Sequence, residues 1–216
     1  MPQPKHITTV KTARYYTLGT VTPATKNIWL VLHGYAMNGE DFAKQFQQFA
    51  NEGDYIIAPE ALSRFYTKGF FGPVGASWMT KEDRESEITD YTAYLNHVYV
   101  AEIMPHLNKG ITIHLLGFSQ GSTTMCRYIS YAPNYFDYLW VCAGDIPDDM
   151  NWDNFNRLLQ TGKLHIIVGT QDPLIPQDRF EQLYQRMKER NVAYELHTFD
   201  GMHEIDFGVL EKYRSR

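Results

Sequence analysis

Five short, almost unbroken apolar runs, each followed by a longer stretch of helical character, constrain the fold more than any other feature of this chain. They are 28–32, 55–58, 111–116, 138–142 and 164–168. Runs of this length without polar alternation suit strands buried on both faces of a parallel sheet. Pro59 closes the second run. Between the runs, Ile88, Tyr91, Leu95, Val98 and Ile103 recur at nearly helical spacing as far as Pro105. Phe180, Leu183, Tyr184 and Met187 form an i, i+3, i+4, i+7 face, with Pro176 and Asp178 suited to its first turn. Residues 41–50 also read as helix. The more polar segment from His6 to Leu18 reads as an edge strand or hairpin. Strand–helix alternation of this kind predicts an open, mostly parallel sheet with helices on both faces. Such sheets carry their ligand sites at the carboxyl ends of the strands.

No linker, repeat or low-complexity stretch divides the 216 residues, so one domain over 1–216 is expected. A net charge of −5 leaves no basic footprint for nucleic acid. The N-terminal residues lack the apolar stretch of a secretory signal, and no run is long enough for a membrane span. A cytoplasmic protein is therefore expected. Cys126 and Cys142 fall in core-like segments and read as free buried thiols. No Cys/His spacing resembles a zinc site.

The run at 111–116 leads straight into Gly117-Phe118-Ser119-Gln120-Gly121. This is the G-x-S-x-G pattern of a nucleophile on a tight strand-to-helix turn. Side chains two positions either side of the serine would clash, hence the glycines. Gly121, Met125, Tyr128, Ile129 and Ala132 mark one face of the helix that follows, whose positive end favours an oxyanion beside Ser119.

A serine hydroxyl needs a base to take its proton, and an imidazole held by a carboxylate supplies one. In the chain order Ser, acid, His, the acid expected is Asp172, on a loop after the run at 164–168. The base expected is His203, on a loop after the strand-like 194–199. Asp145 also follows a strand and is the rival acid. Asp200 reads as a turn residue, and Asp148 and Asp149 as loop or cap residues. His114, His165 and His197 fall within strands, and His97 and His106 at a helix or its end. The three in strands read as structural. The oxyanion needs two donors. The backbone N–H of Gln120 is one. The other is assigned to Tyr35, after Leu32-His33-Gly34, where glycine lets the backbone turn close to Ser119.

These motifs together resemble the small phospholipase/carboxylesterase family, which includes acyl-protein thioesterases. The likeness runs from about Trp29 to His203. It rests on Leu32-His33-Gly34 with Gly39, on Gly117 to Gly121, on Gly169 ahead of Asp172, on Gly201-Met202-His203 and on Ala76-Ser77-Trp78. The resemblance implies an α/β-hydrolase fold with no large lid domain. It also implies hydrolysis of carboxylic esters or thioesters without metal or cofactor. The chain departs from the family at Ala36, where a second glycine is usual, and at Met79, where an aromatic is usual. Both departures fall where substrate would bind.

Between Ala61 and Met79, Phe65, Tyr66, Phe70, Phe71 and Trp78 are interspersed with glycines and fit neither helical nor strand period. One reading makes Phe65, Tyr66, Phe71 and Trp78 a wall over a short- to medium-chain acyl pocket. The other packs this loop on the core or on a second copy, in a monomer or a homodimer. The alternatives to an esterase are a non-catalytic ligand-binding module on the same fold, and a peptidase or lyase using the same three residues.

Overall fold

The computed structural model describes residues 2–107 and 109–214. Seven strands form one sheet in the order β1-β3-β2-β6-β7-β8-β9. They are β1 (Tyr15–Leu18), β2 (Asn27–Leu32), β3 (Asp54–Pro59), β6 (Thr112–Phe118), β7 (Tyr138–Cys142), β8 (Lys163–Gly169) and β9 (Glu195–Phe199). Neighbours run parallel, except that β1 lies antiparallel to β3 at one edge. Every residue of β3 and β7 is buried, as continuous apolar runs require of strands covered on both sides.

Alternate residues of the strands feed two cores. Ile28, Leu30 and Leu32 of β2 face one way, onto α2 (Arg84–Glu102), α3 (Gln120–Tyr131), α4 (Trp152–Leu158) and α5 (Gln177–Glu189). Trp29 and Val31 face the other way, onto α1 (Gly39–Gln45) and α6 (Phe207–Tyr213). This is the α/β-hydrolase arrangement expected from the sequence, with no large extra domain. Among the described residues, no helix is long and apolar enough to cross a membrane. Cys126 and Cys142 are both buried and unbridged, and burial pushes both thiols up.

Two expectations change. Only Tyr15–Leu18 of the opening segment pairs with the sheet. Ile7 and Val10 ahead of it are 92% and 98% exposed and have nothing to alternate against. The stretch after Ala61 is not structureless: β4 (Ser63–Tyr66) and β5 (Val74–Ser77) form an antiparallel hairpin. Its strand character is hidden in the sequence because β5 is built from small residues. Gly75 is needed there, since a Cβ would fall 2.2 Å from the carbonyl oxygen of Ala36.

Candidate active site

Ser119 stands between β6 and α3 with φ 54° and ψ −118°, a strained conformation for a residue with a side chain. Two close approaches hold it there. A Cβ on Gly117 would lie 2.4 Å from the carbonyl oxygen of Gly121, and one on Gly121 would lie 2.2 Å from that of Leu32. Both positions therefore need glycine, because the atoms opposed are backbone. The N–H of Ser119 donates to Cys142 O at 2.9 Å, which ties the turn to the end of β7.

Asp172 follows β8 and His203 follows β9. Parallel pairing of those strands brings the two loops together at the carboxyl edge. Thr170 N donates to Phe199 O and Gln171 N to Gly201 O, each at 2.9 Å. Gly169 permits the contact, since its Cβ would lie 2.4 Å from Met202 O. The outcome is a chain of three groups: His203 Nδ1 is 2.8 Å from Asp172 Oδ2, and His203 Nε2 is 2.9 Å from Ser119 Oγ. The Asp172 side chain is wholly buried and its Oδ1 accepts from Leu174 N at 2.8 Å. A carboxylate so placed can hold an imidazole in the tautomer whose Nε2 accepts a proton.

The rival acid is engaged elsewhere. Asp145 Oδ1 accepts from Arg186 Nη1 at 3.0 Å and from Ile146 N at 2.8 Å. Asp148 pairs with the same arginine, and Asp149 pairs with Arg127 and Arg84. Asp200 accepts from Gln171 Nε2, within the two laced loops. His114, His165 and His197 lie in β6, β8 and β9. Burial pushes all three imidazoles down, His165 to about 4. His97 lies on α2, and His106 on the short helical turn after it. His33 is fully buried beside the first loop. Its Nδ1–H donates to Gly34 O at 2.7 Å, and its Nε2 accepts from Ala61 N at 3.0 Å. Desolvation holds it below the usual imidazole range.

The loop after β2 is clamped by the hairpin. Ala36 N donates to Ala76 O at 2.9 Å, and Ala76 N to Met37 O at 2.8 Å. Within this clamp Ala36 takes φ 62°, a left-handed conformation that glycine adopts without strain. Trp78 is buried, and its Nε1–H donates to His33 O at 2.9 Å. The side chain of Gln120 completes the clamp: its Nε2 donates to Met79 O at 2.9 Å and its Oε1 accepts from Trp78 N at 3.1 Å. Sequence reasoning used only the backbone of Gln120 and missed this second role. Its signal was an amide beside the nucleophile with a buried Ala-Ser-Trp stretch elsewhere in the chain.

A cavity of about 360 Å³ opens beside Ser119 and His203. Leu174, Ile175, Leu183, Thr123 and Arg179 are among the residues that line it. The four aromatics expected as its wall lie elsewhere. Phe65 packs against the Tyr35 ring, with centroids 5.4 Å apart, while Tyr66 and Phe71 are exposed and Trp78 sits behind the clamp. They are carried off by the hairpin, whereas Leu174 and Ile175 come from the loop after Asp172, Arg179 and Leu183 from α5 and Thr123 from α3. The sequence signal for those was their position directly after the acid.

The family model described as serine hydrolase (FSH1) matches residues 22–206. No curated protein matches the sequence significantly. Several solved structures share the fold. Acyl-protein thioesterase 2 of Zea mays is 16% identical with a TM-score of 0.64, over 93% of this chain and 96% of that one. A phospholipase/carboxylesterase from Dyadobacter fermentans is 20% identical with a TM-score of 0.63, over 95% and 98%. A carboxylesterase from Mesorhizobium loti is 13% identical with a TM-score of 0.70, over 94% of each. The resemblance read from the motifs and the matched family thus agree on a serine hydrolase.

Proposed function

We propose that this chain, which belongs to the serine hydrolase family FSH1, cleaves carboxylic esters or thioesters through an acyl-enzyme on Ser119. The observation that carries this reading is the continuous hydrogen-bond reach from Ser119 Oγ through the His203 ring to a buried carboxylate. Ser119 Oγ attacks the acyl carbonyl while His203 Nε2 takes its proton. The negative charge that develops on the carbonyl oxygen is held by the backbone N–H groups of Tyr35 and Gln120. His203 then returns the proton to the departing alcohol or thiol. Water, activated by the same imidazole, attacks the acyl carbon and frees the acid and Ser119. Asp172 orients the ring and stabilises its protonated form throughout. The step needs no metal or cofactor.

The cavity supports a small-molecule substrate with a short to medium acyl chain. Its volume falls near the lower end of ligand sites, about 300–1,000 Å³. Leu174, Ile175 and Leu183 offer apolar surface, and solved structures of the same fold are described as thioesterase and carboxylesterase.

A fluorophosphonate probe, followed by a chain-length series of aryl esters beside matched thioesters and amides, tests the reading. Labelling that disappears in Ser119→Ala, with turnover falling off beyond medium chains, is the expected result. A folded wild-type protein that takes no label and turns over neither ester nor thioester would instead be a ligand-binding module. Preferential cleavage of amides would make it a peptidase.

A further inference from the structure

A second cluster of chemically capable side chains lies away from Ser119, on the outer pair of strands β8 and β9. His165 of β8 is set opposite Glu195 of β9, and His197 stands two residues further along β9. Their donor atoms converge. His165 Nδ1 is 2.8 Å from His197 Nε2, and Glu195 Oε2 is 3.8 Å from the first and 3.9 Å from the second. The point equidistant from the corners of such a triangle lies about 2.1 Å from each, inside the roughly 2.0–2.2 Å range of zinc bonds to imidazole nitrogen and carboxylate oxygen. We propose that His165, Glu195 and His197 form a binding site for a divalent transition ion of the zinc class, with water completing the coordination.

The surroundings favour such a site in two ways. The imidazoles are oriented before any ion arrives. The ring of His165 stacks on Trp140 at 4.4 Å between centroids, and that of His197 lies 4.1 Å from Tyr213. Freeing both converging nitrogens places a proton on His165 Nε2, which is buried with no hydrogen-bond partner among the described residues, a cost that the bonds to the ion must offset. An entry path exists, because β9 is the last strand of the sheet and the Glu195 side chain is 57% exposed. Lys163 near His165 and Lys212 near His197 oppose a cation, while Glu195 favours one.

Calorimetric titration of the full-length protein with zinc chloride at pH 7.5 tests the site, alongside Glu195→Gln and His197→Gln. One equivalent of zinc bound by the wild type, with affinity at least about tenfold weaker in both variants, is the expected result. Thermal unfolding without zinc checks that each variant is folded. Should His197→Gln fail to fold, the exposed Glu195→Gln decides alone. No binding to the wild type overturns the proposal. So does a loss smaller than tenfold in either folded variant, which would place the ion elsewhere, for example at His203.

Discussion

His203 Nε2 lies 2.9 Å from Ser119 Oγ although 84 residues separate them, and the other nitrogen of the same ring faces Asp172 at 2.8 Å. The imidazole is therefore held from both sides. If the buried carboxylate fixes the tautomer, Asp172→Asn should leave the fold intact and lower kcat by on the order of 10⁴. Ester turnover by the purified variant measures it. A loss below about tenfold would remove Asp172 from the mechanism.

Asp145 reaches the same edge of the sheet but is occupied by Arg186 and its own neighbour. Asp145→Asn is expected to hold kcat within a few-fold of wild type. It lines the cavity, so any effect should fall on KM. A kcat as low as that of Asp172→Asn would reverse the two assignments.

The Gln120 amide joins the nucleophile's turn to Trp78 and Met79. Gln120→Ala removes these bonds while keeping the backbone N–H. Two hydrogen bonds at about 1 kcal/mol each set the scale of the stability loss. Turnover should fall about ten- to a hundredfold as the clamp on the 34–38 loop loosens. Denaturant unfolding and steady-state kinetics on the same sample separate the two effects. Unchanged kinetics in a destabilised protein would reduce Gln120 to a structural residue.

Ala36 is held at φ 62° with both neighbouring strand bonds in place. Ala36→Gly should relieve strain of about 1–2 kcal/mol. Roughly half of that is offset by the greater freedom of glycine in the unfolded chain. A small rise in unfolding midpoint is expected, and a fall would mean that the Ala36 methyl makes contacts outweighing the strain.

Burial holds the imidazoles of His33 and His114 below their usual range, His114 well below it. Their unfolded counterparts titrate near 6.5, so below that pH the unfolded chain binds more protons than the folded one. Stability is thus full above about pH 6.5 and declines as pH falls beneath it. The unfolding temperature should drop between pH 7 and 5. His114→Gln should flatten that drop even if it lowers the midpoint at pH 7. An identical slope in the variant would exclude His114 as a source.

The residues that had to be near one another in covalent order were open to reading from the sequence. Gly117 to Gly121 announces a strained turn because only glycine admits the backbone contacts made there. The buried strands announce themselves because both faces are covered and nearly every position is apolar. Asp172 could be placed on the active edge because it follows such a run, and His203 because it follows the strand-like 194–199. The β4–β5 hairpin could not be recognised, since β5 is built from small residues whose burial does not alternate. Which aspartate faces His203 was likewise decided only in three dimensions, where Asp145 pairs with Arg186 and Asp172 lies 2.8 Å from the imidazole. The lining of the cavity and the convergence of His165, Glu195 and His197 have the same origin. Local spacing in the sequence sets which backbone shapes are allowed, whereas distances between side chains on different strands are set by sheet order and register.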